Sequence, residues 1–470
     1  MPYKDLRDFL DFLSKRGELK VCQKEVDTKI EIAKVTDKSS KVEGPAILFK
    51  NVKGFETPVV TGLFGTLDRS FLAIDSNKYD GFKKMAKGLE KPIPTKLIND
   101  GPCKEIIKTG KDVNLHEIPA LWHQTKDSHY FITATNCRVK DPDTGIGNSS
   151  INRIAVQDRD KLTIKSSPPH QLGIIVRKHL EQGKACPVAV AVGTDPVILV
   201  CSGCGIPYGM DEFEFAGGVR EKPVEVVKCE TVDLEVSATS ELVIEGEIIP
   251  GDEDGYVGRT EYASEAPFAE FHGYFGAQDR SPVIHVKAIT HRKDYIYHGL
   301  GTAEPPSEHQ ILSAIGMQAD YFNALQTVIP AENIGAINPL VSAAGLAAVI
   351  SIKKRYPGEA RQLVYTLLAK AALKKVTIVD EDIDVFNPVD VEWAVLFRAS
   401  AEDYIITSEI PGQGVDPMVT TPPNLMRKVG IDATLPIAGD KKGRVEILRD
   451  LGPARYTDLD KVNLEDYLGK

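Results

Sequence analysis

The sequence predicts a multidomain chain that combines α+β and α/β architecture. Three observations carry this. A length of 470 residues exceeds what one hydrophobic core usually organises, so two or three domains are expected. The middle of the chain is dense in short β-patterned runs. The last third alternates strand and helix patterns in the manner of a parallel sheet.

The elements follow in order. Leu6, Phe9, Leu10 and Leu13 recur at helical spacing and predict an amphipathic first helix. Mixed short elements continue to about Pro94. Strands are expected at 131–139 (FITATNCRV), 153–157 (RIAVQ), 161–165 (KLTIK), 187–193 (PVAVAVG), 196–201 (PVILVC) and 241–249 (ELVIEGEII). Helices interrupt them at about 170–182 and 212–220, so the middle reads as a β-barrel or sandwich with inserted helices. A longer helix is expected at 307–325. Beyond it come the strand 346–354, the helix 358–375, the strand 376–386, the helix 389–400 and the strand 403–410. The sequence carries no fixed-period repeat and no low-complexity segment.

Composition is that of a globular protein, 42% hydrophobic and 26% charged. A formal net charge of −10 argues against broad binding to nucleic acid or anionic lipid. The most apolar run, residues 339–352, is too short to span a bilayer, and the first residues lack a secretory hydrophobic core. Seven cysteines, an odd and scattered set, fit free thiols in a reducing compartment. A soluble cytoplasmic protein is the expectation.

Several motifs are set aside. GCGIPYG (203–209) misses the dinucleotide fingerprint by one residue and contains a proline. His116, Glu117 and His123 lack zincin spacing, and Pro119 breaks the helix such a site needs. Cys201 and Cys204 have no second CxxC and read as small hydrophobes. The acidic run 380–384 reads as a solvated loop that follows a strand, and His291, His298 and His309 each read as structural when taken alone.

Three pieces combine better. NSSINR (148–153) brings an amide and a guanidinium to the start of a strand. His170 and Glu212 each open a helix, where backbone N–H groups are unsatisfied. An amide oxygen, an imidazole nitrogen and a carboxylate form a mixed donor set suited to Mg²⁺ or Mn²⁺. Such an ion commonly takes a phosphate oxygen as well, which points to a phosphorylated cofactor. Farther on, SEAPFAEFHGYFG (264–276) sets Glu265 and Glu270 five residues apart around Pro267, a spacing that suits neither a helix face nor a central strand.

These residues resemble the UbiD-like decarboxylases, which use prenylated flavin mononucleotide. The resemblance runs over nearly the whole chain: N-x-S-x-x-R (Asn148, Ser150, Arg153), the His170 segment, CGIP before Glu212, EAPFAEFHGY, VDEDIDVFNPVDVEWAV and VGIDAT, in that order. Two departures stand out. DSHYFIT from Asp127 replaces a DGGPYIT-like segment, and GDEDGYVGRTEY (251–262) is inserted before the two acids.

The resemblance implies a reversible non-oxidative decarboxylase, a carboxy-lyase, of an aromatic, heteroaromatic or α,β-unsaturated acid. It implies that Asn148, His170 and Glu212 hold Mn²⁺ or Mg²⁺ at the flavin phosphate. K⁺ is expected nearby, held by backbone at Cys201, Ser202 and Cys204 and by Glu212. Ile151 and Asn152 would lie along the flavin, and Arg153, Glu265 and Glu270 would form the catalytic network. In that network Glu265 is expected to pair with Arg153. Glu270, shielded by Phe268 and Phe271, is expected to give the proton. The implied architecture is a small mixed N-terminal domain (1–115), a central flavin-binding split β-barrel (116–305), and a linker helix with a C-terminal α/β oligomerisation domain (306–470). A homodimer or homohexamer and a flavin prenyltransferase as cofactor supplier are also implied. Substrate contacts are expected from 290–303, including His291, Tyr295, Tyr297 and His298, and from the C-terminal domain. A polyprenyl-hydroxybenzoate decarboxylase of quinone biosynthesis and an idle partner subunit of a carboxylase complex are the alternatives.

Overall fold

The computed structural model describes residues 3–276, 280–302, 304–369, 373–412, 416–419, 424–437, 454 and 461–468. Helix α1 (Leu6–Lys15) starts where the Asp5 side chain accepts from the N–H of Asp8, and it buries Leu6, Phe9, Leu10 and Leu13 along one stripe. Helices α2 (Glu31–Lys41), α3 (Leu67–Leu72) and α4 (Gly81–Glu90) follow. With them goes a four-stranded sheet ordered Leu19–Cys22, Ala46–Phe49, Val59–Thr61 and Tyr297–His298, whose last strand arrives from far along the chain.

At the centre lies a ten-stranded sheet. Its main path runs Phe131–Ile132, Ile154–Val156, Lys161–Ile164, Arg280–His291, Leu242–Ile248, Cys186–Val192, Thr135–Lys140, Gly147–Ser150. Every pairing in it is antiparallel. The ladder has two ends and no closing pair among the described residues. The expected single strand over 131–139 is broken in two at Thr133 and Ala134, where the Thr133 hydroxyl donates to the Leu300 carbonyl and accepts from the Leu300 N–H. Only Thr133 and Ala134 separate a strand at one end of the ladder from one next to the other end. From Ile132 to Thr135 is three Cα steps, ~10 Å at most, so the sheet bends until these two strands approach.

Helices α5 (Gln171–Glu181), α6 (Pro196–Ser202) and α7 (Glu212–Arg220) pack on this sheet. Residues 196–201, expected as a strand, form α6. Asp195 caps it by accepting from the N–H of Val197, Pro196 occupies the first turn and Gly203 ends it. All seven residues are buried, so the run is apolar all round and has no period to reveal a helix. The inserted segment forms a hairpin, Pro250–Gly255 with Gly258–Thr260, whose Gly258 lies against Leu180 of α5.

Helix α8 (Glu308–Leu325) links this region to a five-stranded sheet ordered Ile334–Pro339, Ala347–Ile352, Lys375–Asp380, Val429–Ala433, Tyr404–Ile406. Its central pairs are parallel and its two edge strands antiparallel, with α9 (Glu359–Leu368) and α10 (Pro388–Arg398) beside it. The result is a mixed α/β multidomain fold. All seven cysteines are free, and no helix among the described residues is long and apolar enough to cross a membrane.

Candidate active site

Glu212 owes its place to the start of α7. Asp211 caps the helix by accepting from the N–H of Phe213, and both its oxygens accept from Arg138 at 2.6 Å, while Arg138 lies over the Phe213 ring. This fixes the next side chain, Glu212, against the strand Gly147–Ser150. Its carboxylate accepts from the Asn148 amide at 2.9 Å and from the N–H of Ser149 at 2.6 Å. Glu212 is buried, and burial pushes its carboxyl up to about 8. The amide oxygen of Asn148 is buried with no hydrogen-bond partner among the described residues.

An orphaned amide oxygen beside a buried carboxylate is an arrangement that a hard cation completes. His170, the N-cap of α5, lines the same cavity, and burial lowers the pKa of its ring, favouring the neutral form a metal needs. The first N–H groups of α5 open on this side as an anion site. The donor set therefore fits a metal-bridged phosphate. Glu214, two residues on and a candidate from type alone, does not line the cavity.

The cavity measures about 440 Å³, within the range of small-molecule sites. Asn148, Ile151, Asn152, His170, Ser202 and Glu212 all line it. Ile151 packs on Gly203, and the Asn152 side chain bonds the Lys165 carbonyl and the Ser150 hydroxyl. Ser202 accepts from Asn136 and donates to the Ile198 carbonyl. The Cys201 carbonyl accepts from the N–H of Cys204.

Arg153 follows directly on this wall. Its Nη2 donates to Glu265 at 2.7 Å and its Nη1 to Glu270 at 2.7 Å. Glu265 is fully buried and Glu270 is partly open. The guanidinium, expected to serve Glu265, is shared between both acids. Phe268, expected to shield Glu270, instead lies 4.9 Å from the guanidinium and packs on Phe131.

Sequence reasoning set His309 aside as structural and passed over Gln171. His309 lines the cavity, lies within electrostatic range of Glu270, and is pushed down to about 4 by burial. Its position two residues after the N-cap Ser307 was the available signal. The segment 290–303 divides differently from expectation. Only Leu300 reaches this cavity. His291 and Tyr295 line a separate cavity of about 840 Å³ toward the N-terminal sheet, Tyr297 and His298 are buried, and Ala303 lies outside the described residues. The C-terminal sheet lines neither cavity. It meets α8 and the N-terminal segment across a cleft of about 540 Å³ of mixed lining, with Ile311, Leu340 and Phe386 beside Lys41, Lys78 and Lys375.

Comparison with known proteins bears on the family and the fold. The N-terminal, Rift-related and C-terminal domain models of 3-octaprenyl-4-hydroxybenzoate carboxy-lyase, the UbiD models, match residues 10–89, 96–305 and 310–433. An uncharacterised protein of Archaeoglobus fulgidus is 34% identical over 461 residues, 92% of each chain. The UbiD-class enzyme HmfF from Pelotomaculum thermopropionicum, solved with FMN, is 34% identical with a TM-score of 0.88, covering 99% of this chain and 100% of that one. The vanillic acid decarboxylase of Sedimentibacter hydroxybenzoicus in open form is 29% identical with a TM-score of 0.87, covering 100% and 99%. Its closed form gives 0.83 at the same identity and coverage.

Proposed function

The chain belongs to the UbiD family, and from that premise we propose that it is a prenylated-FMN-dependent, reversible decarboxylase of an aromatic, heteroaromatic or α,β-unsaturated acid. One juxtaposition carries the reading. The wall that offers Asn148 and Glu212 to a metal-bridged phosphate continues directly into Arg153 and its two carboxylates. The split-barrel form of the central sheet belongs to this reading, supported by the two-residue link between the ends of the ladder.

Asn148, His170 and Glu212 would hold Mn²⁺ or Mg²⁺, and the backbone around Cys201, Ser202 and Cys204 would serve K⁺. When bound, the flavin supplies the electron sink that no side chain offers to an sp² carbon losing CO₂. The chain's own residues bind, orient and protonate. Arg153, kept in place by buried Glu265, directs its charge toward a substrate carboxylate. Replacing carboxylate by hydrogen consumes one proton per turnover, and Glu270, partly open beside Arg153, delivers it. Domains at 1–115, 116–305 and 306–470, a homodimer or homohexamer, a flavin prenyltransferase as supplier and a cytoplasmic setting complete the proposal.

A second reading, decarboxylation of a polyprenyl-hydroxybenzoate, draws on the description of the matching family models, 3-octaprenyl-4-hydroxybenzoate carboxy-lyase. An idle subunit is disfavoured because Asn148, Arg153, His170, Glu212, Glu265 and Glu270 are all present. The test is reconstitution with prenylated flavin, followed by a screen of small and prenylated acids for CO₂ release and for carboxylation in bicarbonate. Failure to bind the supplied flavin overturns the proposal.

A further inference from the structure

The acid-bearing loop has little regular structure of its own. After the strand Tyr262–Ser264 it runs through Glu265 and Glu270, held by the N–H of Glu270 to the Tyr274 carbonyl and the N–H of Gly276 to the Phe268 carbonyl. Tyr274 and Phe275 at its tip are exposed. Such a loop needs an outside hold if Glu270 is to keep one position against Arg153.

That hold comes from the first turn of α8. The buried Gln310 side chain donates from Nε2 to the carbonyl of Phe271, the residue next to Glu270, at 2.9 Å. Its other end is fixed, because Oε1 accepts from the Ser307 N–H at 2.8 Å and from the Ser307 hydroxyl, closing a capping box. Beside it, buried Glu308 accepts from Gly301 at 2.7 Å and from Phe64 at 3.1 Å, so this turn cannot move alone. Two turns on, roughly 12 Å along the axis, Gln318 donates to the Ile337 carbonyl of the C-terminal sheet at 2.6 Å and to the Lys78 carbonyl at 3.0 Å. Tyr321 reaches the Gly345 carbonyl.

We propose that Gln310 is a positioning residue for Glu270, tying the acid loop to α8 so that the loop's placement follows the C-terminal domain in which that helix ends. The catalytic consequence rests on the assignment of Glu270 as proton donor; the tether itself does not. A shift of the C-terminal sheet that takes α8 with it, against its holds at Phe64 and Lys78, reaches the Phe271 carbonyl and hence the adjacent acid. The donor is then correctly placed only in one domain arrangement.

Gln310→Glu separates the two ends of the residue. Glutamate at this helix position still accepts from Ser307 and preserves the cap, but it has no N–H for Phe271. Hydrogen–deuterium exchange on the full flavin-loaded chain, read on peptides covering 265–276, should rise roughly 3- to 10-fold, the range of one ordinary hydrogen bond. Exchange in the central sheet should stay unchanged, and kcat should fall by a similar factor at constant KM. Gln318→Met and, independently, Tyr321→Phe should loosen the same loop peptides from the far end of the helix. Unchanged loop exchange in Gln310→Glu overturns the tether. A loop loosened by Gln310→Glu but untouched by both distant variants overturns the transmission. If Glu270 is not the donor, the exchange effects remain while Glu270→Gln leaves deuterium uptake into product unaltered, so the two failures are distinct.

Discussion

Arg153 and Glu270 stand 2.7 Å apart, Nη1 to Oε1, although the same guanidinium already serves Glu265 through its Nη2 at 2.7 Å. One cation thus organises two carboxylates of unequal exposure. Glu265 has no route to water, whereas Glu270 has one. Only the second faces solvent, and the proposed division of labour between the two acids rests on that difference.

Glu270→Gln keeps the size and an acceptor for Arg153 but removes the proton. The expected loss in turnover is roughly 10²- to 10⁴-fold with folding intact. Deuterium incorporation at the former carboxyl carbon, measured by mass spectrometry in D₂O, is the check. Wild-type incorporation would contradict the role.

Arg153→Lys replaces a fork by a point charge at a site that grips two carboxylates. Both kcat and flavin-loaded stability are expected to fall, although formal charge is kept. Restoration of activity by lysine would show that charge alone suffices.

Glu212→Gln preserves volume and the contact with Ser149 but removes the buried carboxylate that accepts from the Asn148 amide and is offered to the metal. Metal retention should weaken at least ~100-fold, and flavin should no longer co-purify. Elemental analysis and the visible absorption of the purified chain read both. Chelation of the wild type should mimic the change.

His123 is buried against Phe268, and neither ring nitrogen has a hydrogen-bond partner among the described residues. Burial pushes it down to about 4 from the ordinary 6.5. The unfolded chain therefore binds the extra proton first, and this residue's contribution is complete above pH 6.5 and is lost as pH falls toward 4. Asp127 and Glu212, pushed up to about 6 and about 8 by burial, act with the opposite sign, so the test is a difference. Between pH 7.5 and 5, His123→Phe should gain roughly 2 kcal/mol relative to wild type in urea unfolding. Parallel pH profiles would refute it.

Gly218 of α7 lies so close to α4 that a Cβ would stand 2.3 Å from the Gly88 carbonyl oxygen and 2.7 Å from that of Lys91. Backbone cannot step aside as a side-chain tip can. Gly218→Ala should cost about 1–3 kcal/mol. Because α7 begins with Glu212, flavin retention should fall as well, with turnover per bound flavin preserved. Calorimetry and flavin titration separate the two effects.

Much of the fold was legible from the chain because burial there is one-sided. The stripe of α1, the capped start of α8 and the alternating tail all show their period. Residues 196–202 hid their helix because every side chain is buried, leaving no polar face to mark a turn. At the break after Ile132, Thr133 meets Leu300, a partner 167 positions away, and no local pattern encodes that contact. At the site, helix starts exposed His170 and Glu212 to reasoning, and the family resemblance supplied their order. The sharing of Arg153 and the direction of His309 depend on how an irregular loop and α8 dock, which spacing does not convey.

The N-terminal sheet is completed by Tyr297–His298, and the Phe64 N–H waits for Glu308, 244 positions later. During synthesis at about 5–20 residues per second, that interval lasts roughly ten to fifty seconds. Throughout it, Val59–Thr61 presents a bare strand edge as the nascent chain leaves the ribosome. The N-terminal sheet is thus finished only after the central region has been made, and until then its open edge is available to other strands.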